Sequence, residues 1–405
     1  MAKRRGLEHR LEEFLRPILH ALGRKDRAKW GDFMIRSLLT EGGRKNAAGM
    51  AQRFGGDVQA VQQFLNQSTW DHVRVRQAIS RLWLPKMEGP KALLIDDTGF
   101  PKKGSHSVGV HRQYSGTLGK VGNCQIGVSL TYANDHLGCP LDFELYLPEA
   151  WLQSERRAAA RIPDDIVFRK KWEIAIAMVQ KQLDQGLSID FVAGDAAYGT
   201  VTEFRKWLQD KELAYVLAVQ GDIKCLPPDA DISPPDRLPG TNGRPRLVAR
   251  PEDLPNPKSC REIALSLPAE AWQIVSWREG TKGPIARRFA VTRARPAHSI
   301  RRKTGRPEPV QWLLIQWPVT ESEPTNFWLS TLPETTPIQQ LVHMAKSRWW
   351  IEQNYQQLKD QLGLDHFEGR SYRGWHHHVT LVMAAFAFLQ LERLCETTSD
   401  PQKNF

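Results

Sequence analysis

The sequence contains few cysteines, and none of them are spaced as a metal-binding or redox pair. Five occur among 405 residues, and no Cys-x-x-Cys pattern is present. An odd count without paired spacing argues against a disulfide framework and against a zinc ribbon, and it fits a reducing compartment. The five are Cys124, Cys139, Cys225, Cys260 and Cys395.

Long apolar runs and an apolar leader are also absent. The longest mostly apolar run, Val379–Leu389, is far shorter than the ~20 residues that span a bilayer. We therefore predict a buried helix there and no membrane partner. The first residues, Met-Ala-Lys-Arg-Arg, lead directly into charged helical sequence without the apolar stretch of a signal peptide. Together these features predict a cytoplasmic location.

Acidic residues are too few to balance the basic ones. The formal net charge is +11, and residues 1–53 hold 13 Lys and Arg against 6 Asp and Glu, a local net of 13 − 6 = +7. Residues 280–306 hold 9 basic residues and no acid. Two separated basic blocks are typical of a protein that binds a long polyanion such as nucleic acid. A basic enzyme with another substrate would have the same net charge, so charge alone leaves both interpretations open.

Residues 1–88 are predicted to form a helical domain. Apolar residues recur at helical spacing, and Val58, Val61 and Leu65 are expected to share one face of a helix. Small helices with basic residues outside suit a DNA-binding module. A helical dimerisation or capping domain would give the same pattern and remains the alternative.

The pattern changes after residue 88 to that of a mixed α/β sheet. The short apolar run Ala92–Ile95 reads as a buried strand and stops at Asp96-Asp97, and Ile189–Ala193 is a second buried strand that stops before Asp195. Strands followed by strand–helix–strand alternation indicate a mixed sheet. Two acids are therefore expected directly at strand ends.

The segment 222–325 has a different composition. Nine prolines fall between Pro227 and Pro257, and alternating apolar runs follow them. This pattern predicts an irregular connector and a β-rich, basic insertion. From Ile338 the pattern is helical over roughly two dozen residues and ends near Gly363, and a last helix is predicted over roughly Val379–Cys395.

Three acids are candidates for a metal site. Asp97 and Asp195 follow buried strands, and Mg²⁺ prefers carboxylate oxygens. Two such ions about 3.5–4 Å apart can activate an attacking oxygen and stabilise a leaving one in phosphoryl transfer. The best third acid is Glu352, because on a regular helix Arg348, Glu352 and Lys359 form one stripe in which the bases could hold phosphates. A surface helix with stabilising ion pairs is the alternative.

A family resemblance supports the catalytic interpretation. Arg348-x3-Glu352-x6-Lys359 resembles the Tyr-x2-Arg-x3-Glu-x6-Lys signature of DDE transposases from bacterial insertion sequences. Three further segments are similar to the insertion-sequence 701 group of that class. They are Leu94–Gly104, Arg112–Lys120 and Ala193–Gly199.

This resemblance implies an α/β fold class: a ribonuclease H-like mixed sheet with flanking helices, a β-rich insertion and an N-terminal helical domain. It implies the triad Asp97, Asp195 and Glu352 with two Mg²⁺ (or Mn²⁺) ions. It also implies double-stranded DNA as the partner, both the terminal inverted repeats of an element and target DNA, bound by a homo-oligomer in the bacterial nucleoid. The expected segments are a DNA-binding domain 1–88, the catalytic core 89–221, the insertion 222–325 and the returning core with the Glu helix, 326–405.

The sequence departs from the signature at one position and leaves another open. Ala345 stands where the signature has tyrosine, so the role of that tyrosine is missing or is filled by Trp349 or Tyr355. Asp96 competes with Asp97 as the first ligand, because neighbouring residues of a strand face opposite ways. We expect Asp97, since in the family the ligand directly precedes the threonine.

Four basic residues among the glycines after the first acid are candidate phosphate contacts. A solvated basic hairpin is the alternative for them. They are Lys102, Lys103, Arg112 and Lys120. Two rival functions also remain: a DNA-binding repressor or targeting subunit without catalysis, and a nuclease that cuts without joining.

Overall fold

The computed structural model describes residues 2–233, 254–280, 283–297 and 308–399. These residues belong to two compact units. The first unit joins the chain up to Ser188 with the chain from Trp349 onward, and the second unit is Ile189–Arg348. The proline-rich part of the expected insertion, 234–253, lies outside the described residues.

Five helices form the N-terminal part of the first unit, as the apolar spacing predicts. They are α1 (Ala2–Ala21), α2 (Lys25–Leu39), α3 (Ala47–Phe54), α4 (Val58–Asn66) and α5 (His72–Trp83). Three of them begin after a polar N-cap whose side chain accepts hydrogen bonds from the first free N–H groups. These caps are Asn46, Asp57 and Asp71.

The expected apolar face of α4 is only partly buried. Val61 and Leu65 are buried, as predicted, whereas Val58 is 37% exposed. The predicted helix is present and places Val58 on the same face as Val61 and Leu65, but Val58 is the first residue of the helix and the buried residues begin at Val61.

Four antiparallel strands form the sheet of the first unit. They are β1 (Ala92–Pro101), β2 (His111–Ser115), β3 (Lys120–Ala133) and β4 (Gly138–Tyr146). β3 is central: it pairs with β1 on one side and with β2 and then β4 on the other. Four helices complete this unit: α6 (Ser154–Ala160), α7 (Lys171–Asp184), α12 (Trp349–Gln356) and α13 (Tyr372–Ser399).

The last helix, α13, begins seven residues before the predicted Val379. Its first turns carry His376, His377 and His378, which are all buried. The stretch Tyr372–Glu396 is long and apolar enough to cross a membrane, but 67% of its apolar window is buried inside the protein. Such burial is typical of the core helix of a globular unit, which agrees with the predicted buried helix.

The second unit has its own strands and helices. They are β5 (Phe191–Gly194), α8 (Ala196–Gly199), α9 (Thr202–Asp210), β6 (Tyr215–Val219), β7 (Lys224–Leu226), β8 (Lys258–Ser259), α10 (Cys260–Ser266), β9 (Gln273–Gly280), β10 (Gly283–Pro296), β11 (Gln311–Gln316), β12 (Asn326–Ser330) and α11 (Ile338–Lys346). β5 and β6 are parallel, β12 pairs antiparallel with β6, and β11 and β10 follow, each antiparallel to the strand before it in the sheet. This mixed α/β arrangement with flanking helices agrees with the expected ribonuclease H-like class.

The long helix predicted from Ile338 to Gly363 is interrupted. α11 ends at Lys346, a turn holds Ser347 and Arg348, and α12 is followed by a π-helical turn at Gln357–Gln361. The regular angle of 100° per residue therefore does not apply between Arg348 and Lys359. The premise of the predicted stripe, one regular helix through all three residues, is therefore wrong.

Candidate active site

The prediction that a strand ends directly before Asp97 is wrong: β1 runs on to Pro101, because Thr98–Pro101 continue the pairing with β3. Asp96 and Asp97 therefore lie within the strand, and they face opposite sides of the sheet. In the register of β1 and β3, Asp96 lies across from Ser129 and Asp97 lies across from Val128. Residues directly opposite each other in an antiparallel pair project to the same face, and successive residues alternate. Asp96 therefore shares a face with Ser129, and Asp97 with Val128.

The Asp97 face is covered by α7. Lys171 Nζ donates a hydrogen bond to Asp97 Oδ2 over 2.9 Å, and the side chain of Asp97 is 15% exposed. The ammonium group of Lys171 also lies 6.0 Å from the ring centre of Tyr146, which is on the same face. Asp97 thus already has a cationic partner in its own unit.

The Asp96 face is covered by the helix that carries Glu352. The hydroxyl groups of Ser129 and Tyr355 lie 2.6 Å apart and are hydrogen bonded, which joins α12 to β3. Glu352 is exposed and precedes Tyr355 by three residues, so the two side chains are neighbours on α12. Tyr355, the neighbour of Glu352 on α12, therefore contacts Ser129, the residue directly across from Asp96.

Lys359 is held inside the first unit rather than presented to solvent. Its Nζ donates to the carbonyl oxygen of Gly99 and to Thr117 Oγ1, both over 3.1 Å. Burial lowers the pKa of Lys359 below its usual value. Lys359 therefore anchors the π-helical turn to the end of β1. Arg348, the other base of the signature, belongs to the second unit, in the turn before α12.

The four basic residues after β1 divide into two kinds. Lys102 is half-buried: its Nζ donates to the carbonyl oxygens of Asp365 (3.2 Å) and Phe367 (2.6 Å). Burial lowers the pKa of Lys102 to about 8. The other three are exposed around β2 and the turn to β3, where they can meet phosphate groups. They are Lys103, Arg112 and Lys120.

Asp195 directly follows β5 and is the N-cap of α8. Its Oδ1 accepts a hydrogen bond from the backbone N–H of Ala197 over 2.9 Å. The turn is tight: a Cβ on Gly199 would lie 1.9 Å from the carbonyl oxygen of Ala218 in β6. Arg205 Nη1 fixes the same turn by donating to the Gly199 carbonyl over 2.6 Å. The strand-end position predicted for Asp195 is what the structure has.

A cleft of about 760 Å³ opens beside Ala196 in the second unit. Amide, basic and acidic side chains from distant parts of the chain line it. They are Gln220, Asp222, Lys224, Arg261, Glu262 and Asn326. The sequence analysis did not identify these residues, because each lies in or beside a short, irregular segment and no local motif marks it.

A second group of polar side chains lies between α5, β4 and α13. Ligand atoms of His72, Glu144 and His376 lie within 4.8 Å of one another. However, His376 Nδ1 is 3.3 Å from Arg76 Nη2, and an arginine can only donate. His376 Nε2 therefore keeps its hydrogen, pointing at Glu144 Oε2 3.7 Å away, and cannot ligate a cation in this arrangement. Burial raises the pKa of Glu144 to about 7, so the group fits shared protons better than a metal.

The chain belongs to the DDE superfamily endonucleases, whose family model matches residues 17–284. That match includes Asp97 and Asp195 and ends before Glu352. The chain is also 30% identical to the probable transposase for insertion sequence element IS701 of Microchaete diplosiphon, over 49% of this chain and 56% of that protein. The chain thus spans little more than half the length of this relative. The resemblance to this class of protein noted in the sequence is confirmed.

Proposed function

We propose that the protein is a DNA transposase that cuts DNA at the ends of its element and joins those ends to target DNA. The observation that supports it most is Asp195, a carboxylate fixed at the end of β5 in a chain of the DDE endonuclease family. Asp97, Asp195 and Glu352 would hold two Mg²⁺ or Mn²⁺ ions. When bound, the ions supply activation of the attacking oxygen and stabilisation of the leaving oxygen in phosphoryl transfer.

The donor chemistry of these residues fits hard divalent cations. All three are carboxylates, the ligand type that Mg²⁺ prefers. The backbone N–H of Ala197 holds one oxygen of Asp195 and leaves the other to a ligand. Gly199 and Arg205 fix the turn behind it, so Asp195 needs little reordering to bind.

Asp96 is the competing first ligand, and one observation favours it. Asp96 shares its sheet face with Ser129, which is bonded to Tyr355 on the helix of Glu352. Asp97 faces α7 and is paired with Lys171. The position directly before Thr98 favours Asp97 by family resemblance. Replacing each acid separately decides between the two.

DNA binding is assigned to several surfaces. Helices of 1–88 and the insertion 222–325 would bind the terminal inverted repeats of the element in a homo-oligomer on nucleoid DNA in the bacterial cytoplasm. The exposed Lys103, Arg112 and Lys120 would contact phosphates close to the cut, together with Arg348. Lys102 and Lys359 would support this surface from inside, because their amino groups already bind carbonyl oxygens.

One assay tests the reaction and its rivals. The full chain is incubated with Mg²⁺, labelled DNA from the flanks of its gene and a target plasmid. Joined product supports the proposal, cutting without joining supports a nuclease, and binding alone supports a repressor or targeting subunit.

Matched variants test the residues. Asp195→Asn and Glu352→Gln should each abolish cutting and leave DNA binding in place, and either Asp97→Asn or Asp96→Asn should do the same. Asp360→Asn, at an exposed acid just past α12, is the control and should cut normally. Normal cutting by Asp195→Asn or Glu352→Gln contradicts the site.

A further inference from the structure

α3 and α4 form a compact pair joined by a three-residue turn. Gly55 ends α3 in the left-handed conformation, with φ +70°, which glycine adopts without strain. Asp57 then caps α4: its Oδ1 accepts from the N–H groups of Gln59 (2.8 Å) and Ala60 (3.2 Å). The length of this turn and its glycine match those of a helix-turn-helix motif.

The side of this helix pair that faces the protein interior is well packed. Met50 and Ala51 of α3 are buried, as are Val61, Phe64 and Leu65 of α4. Further support comes from α13, where the two ring nitrogens of His377 lie 2.8 Å from the carbonyl oxygen of Leu65 and 2.9 Å from that of Trp70, and the neutral imidazole donates its single N–H to one of them. α4 is therefore a rigid element with one fixed side.

The outer side of α4 is unusual for a solvated surface. Gln59, Gln62 and Gln63 are exposed there, Val58 is exposed at its edge one turn before Gln62, and no residue of Val58–Asn66 is charged. Exposed helix faces are ordinarily rich in charged residues. The side-chain amides of these three glutamines make no hydrogen bond within the part of the chain that the structure describes. A rigid helix thus presents amide donors and acceptors next to an exposed valine.

Basic residues flank this outer side. A cleft of about 360 Å³ beside α4 is lined by Arg24, Asp26 and Arg27 at the start of α2 together with Gln63 and Gln67, and Arg24 Nε donates to Asp26 Oδ1 over 3.1 Å. Arg27 Nη2 is oriented there by a hydrogen bond to Thr69 Oγ1 over 3.0 Å. Arginine side chains beside an uncharged reading helix suit DNA, whose phosphates flank the base edges of the groove.

We propose that α4 is a recognition helix that enters the major groove of duplex DNA and reads adenine–thymine pairs through Gln59 and Gln62. A glutamine amide can bond adenine N6 and N7 together, and an apolar side chain can meet the thymine methyl group, which assigns Val58. Arg24 and Arg27 contact the backbone phosphates beside it. This inference rests on the proposed function, since it names the residues with which the N-terminal helices choose their DNA.

The test is a binding selection with the full chain and a pool of random-sequence duplexes, in EDTA so that cutting plays no part. The wild type should enrich a motif with fixed adenine–thymine pairs. Gln59→Ala and Gln62→Ala should each relax one position and weaken binding to the selected duplex by roughly 5- to 150-fold. Gln185→Ala, at an exposed glutamine after α7, is the matched control and should leave motif and affinity unchanged.

A modified base gives a second readout that a folding defect cannot imitate. 7-Deaza-adenine at the read position removes N7, so it should weaken the wild type but not the glutamine variant that reads this position. Equal loss in both, or an unchanged motif in Gln59→Ala and Gln62→Ala, overturns the inference. If these variants lose the motif while Asp195→Asn still cuts, the catalytic proposal fails alone. If the variants keep the motif and the acid variants lose cutting, the recognition helix fails alone.

Discussion

Lys171 Nζ lies 2.9 Å from Asp97 Oδ2, on the face of β1 opposite the helix of Glu352. An ammonium group this close to a poorly exposed carboxylate competes with any divalent cation for the same oxygen. Removing the ammonium group of Lys171 therefore tests whether Asp97 is a metal ligand.

Lys171→Met should lower the Mg²⁺ concentration needed for half-maximal cutting, because the competing ammonium is removed. The measurement is a Mg²⁺ titration of cutting with labelled element-end DNA. Lys170→Met, at the exposed neighbour before α7, should leave the requirement unchanged. An unchanged requirement in Lys171→Met would instead assign the first ligand to Asp96.

Tyr355→Phe should loosen α12 from β3, because it removes the hydroxyl that bonds Ser129 over 2.6 Å. Tyr355→Phe and Ser129→Ala should each lower the free energy of unfolding by about 1 kcal/mol. The double variant should lose less than the sum of the two, as measured by urea unfolding. Strict additivity would mean that the two hydroxyls do not interact.

Arg205→Met should strongly destabilise the second unit. Arg205 and Glu308 form a fully buried ion pair at 2.5 Å, and Arg205 also bonds the turn that ends α8. Removing one partner of a buried pair costs about 3–5 kcal/mol, because the other charge stays buried. Arg261→Met is the control, since its pair with Glu323 is exposed and should contribute less than about 1 kcal/mol. Equal losses in the two variants, measured by thermal unfolding, would contradict this account.

On acidification, the first unit should unfold at a higher pH than the protonation of carboxylates alone would produce. Burial lowers the pKa of His72 to about 2 and those of His377 and His378 to about 4, and it also lowers the pKa of His376. The folded chain keeps these imidazoles neutral, while the unfolded chain protonates them below pH 6.5. Each then removes up to about 1.4 kcal/mol of stability per pH unit as the pH falls.

Glu144 has the opposite effect on the pH dependence of stability. Its pKa is raised to about 7, so the folded state gains a proton between pH 7 and 4.5 that the unfolded state lacks. This stability is lost as pH rises through that range, and Glu144→Gln should therefore steepen the fall on acidification. Urea midpoints between pH 8 and 5 measure both effects. A flat profile below pH 6.5 would show that the histidines titrate freely.

Local patterns were enough to predict the end of β5 and the buried last helix, but not the end of β1, whose pairing with β3 continues past Asp97 to Pro101. Asp195 follows a short apolar run and a glycine, and the structure has it at the end of β5. Such a position depends on residues near in sequence. Val61 and Leu65 were likewise predictable as core positions, because their spacing alone defines the inner side of α4.

Other features depend on contacts between distant segments. Neither proline nor glycine marks the turn at Ser347, so a continuous helix was the natural prediction. In the sequence, Lys102 and Lys359 resembled phosphate-binding bases. In the structure, their amino groups donate to the carbonyl oxygens of Phe367 and Gly99, each hundreds of residues away along the chain. Hydrogen bonds over such separations leave no periodic trace in the sequence.

The second unit is inserted in chain order between the sheet of the first unit and the helices that cover one face of it. During synthesis on the ribosome, that face stays uncovered until residues 189–348 have been made and α12 and α13 follow. Phe100 meanwhile lacks Trp375, whose ring it contacts in the finished protein. Exposed apolar surface in a partly synthesised chain attracts chaperones and proteases. Chains arrested before residue 349 should therefore be protease-sensitive in the first unit while the second unit already resists digestion.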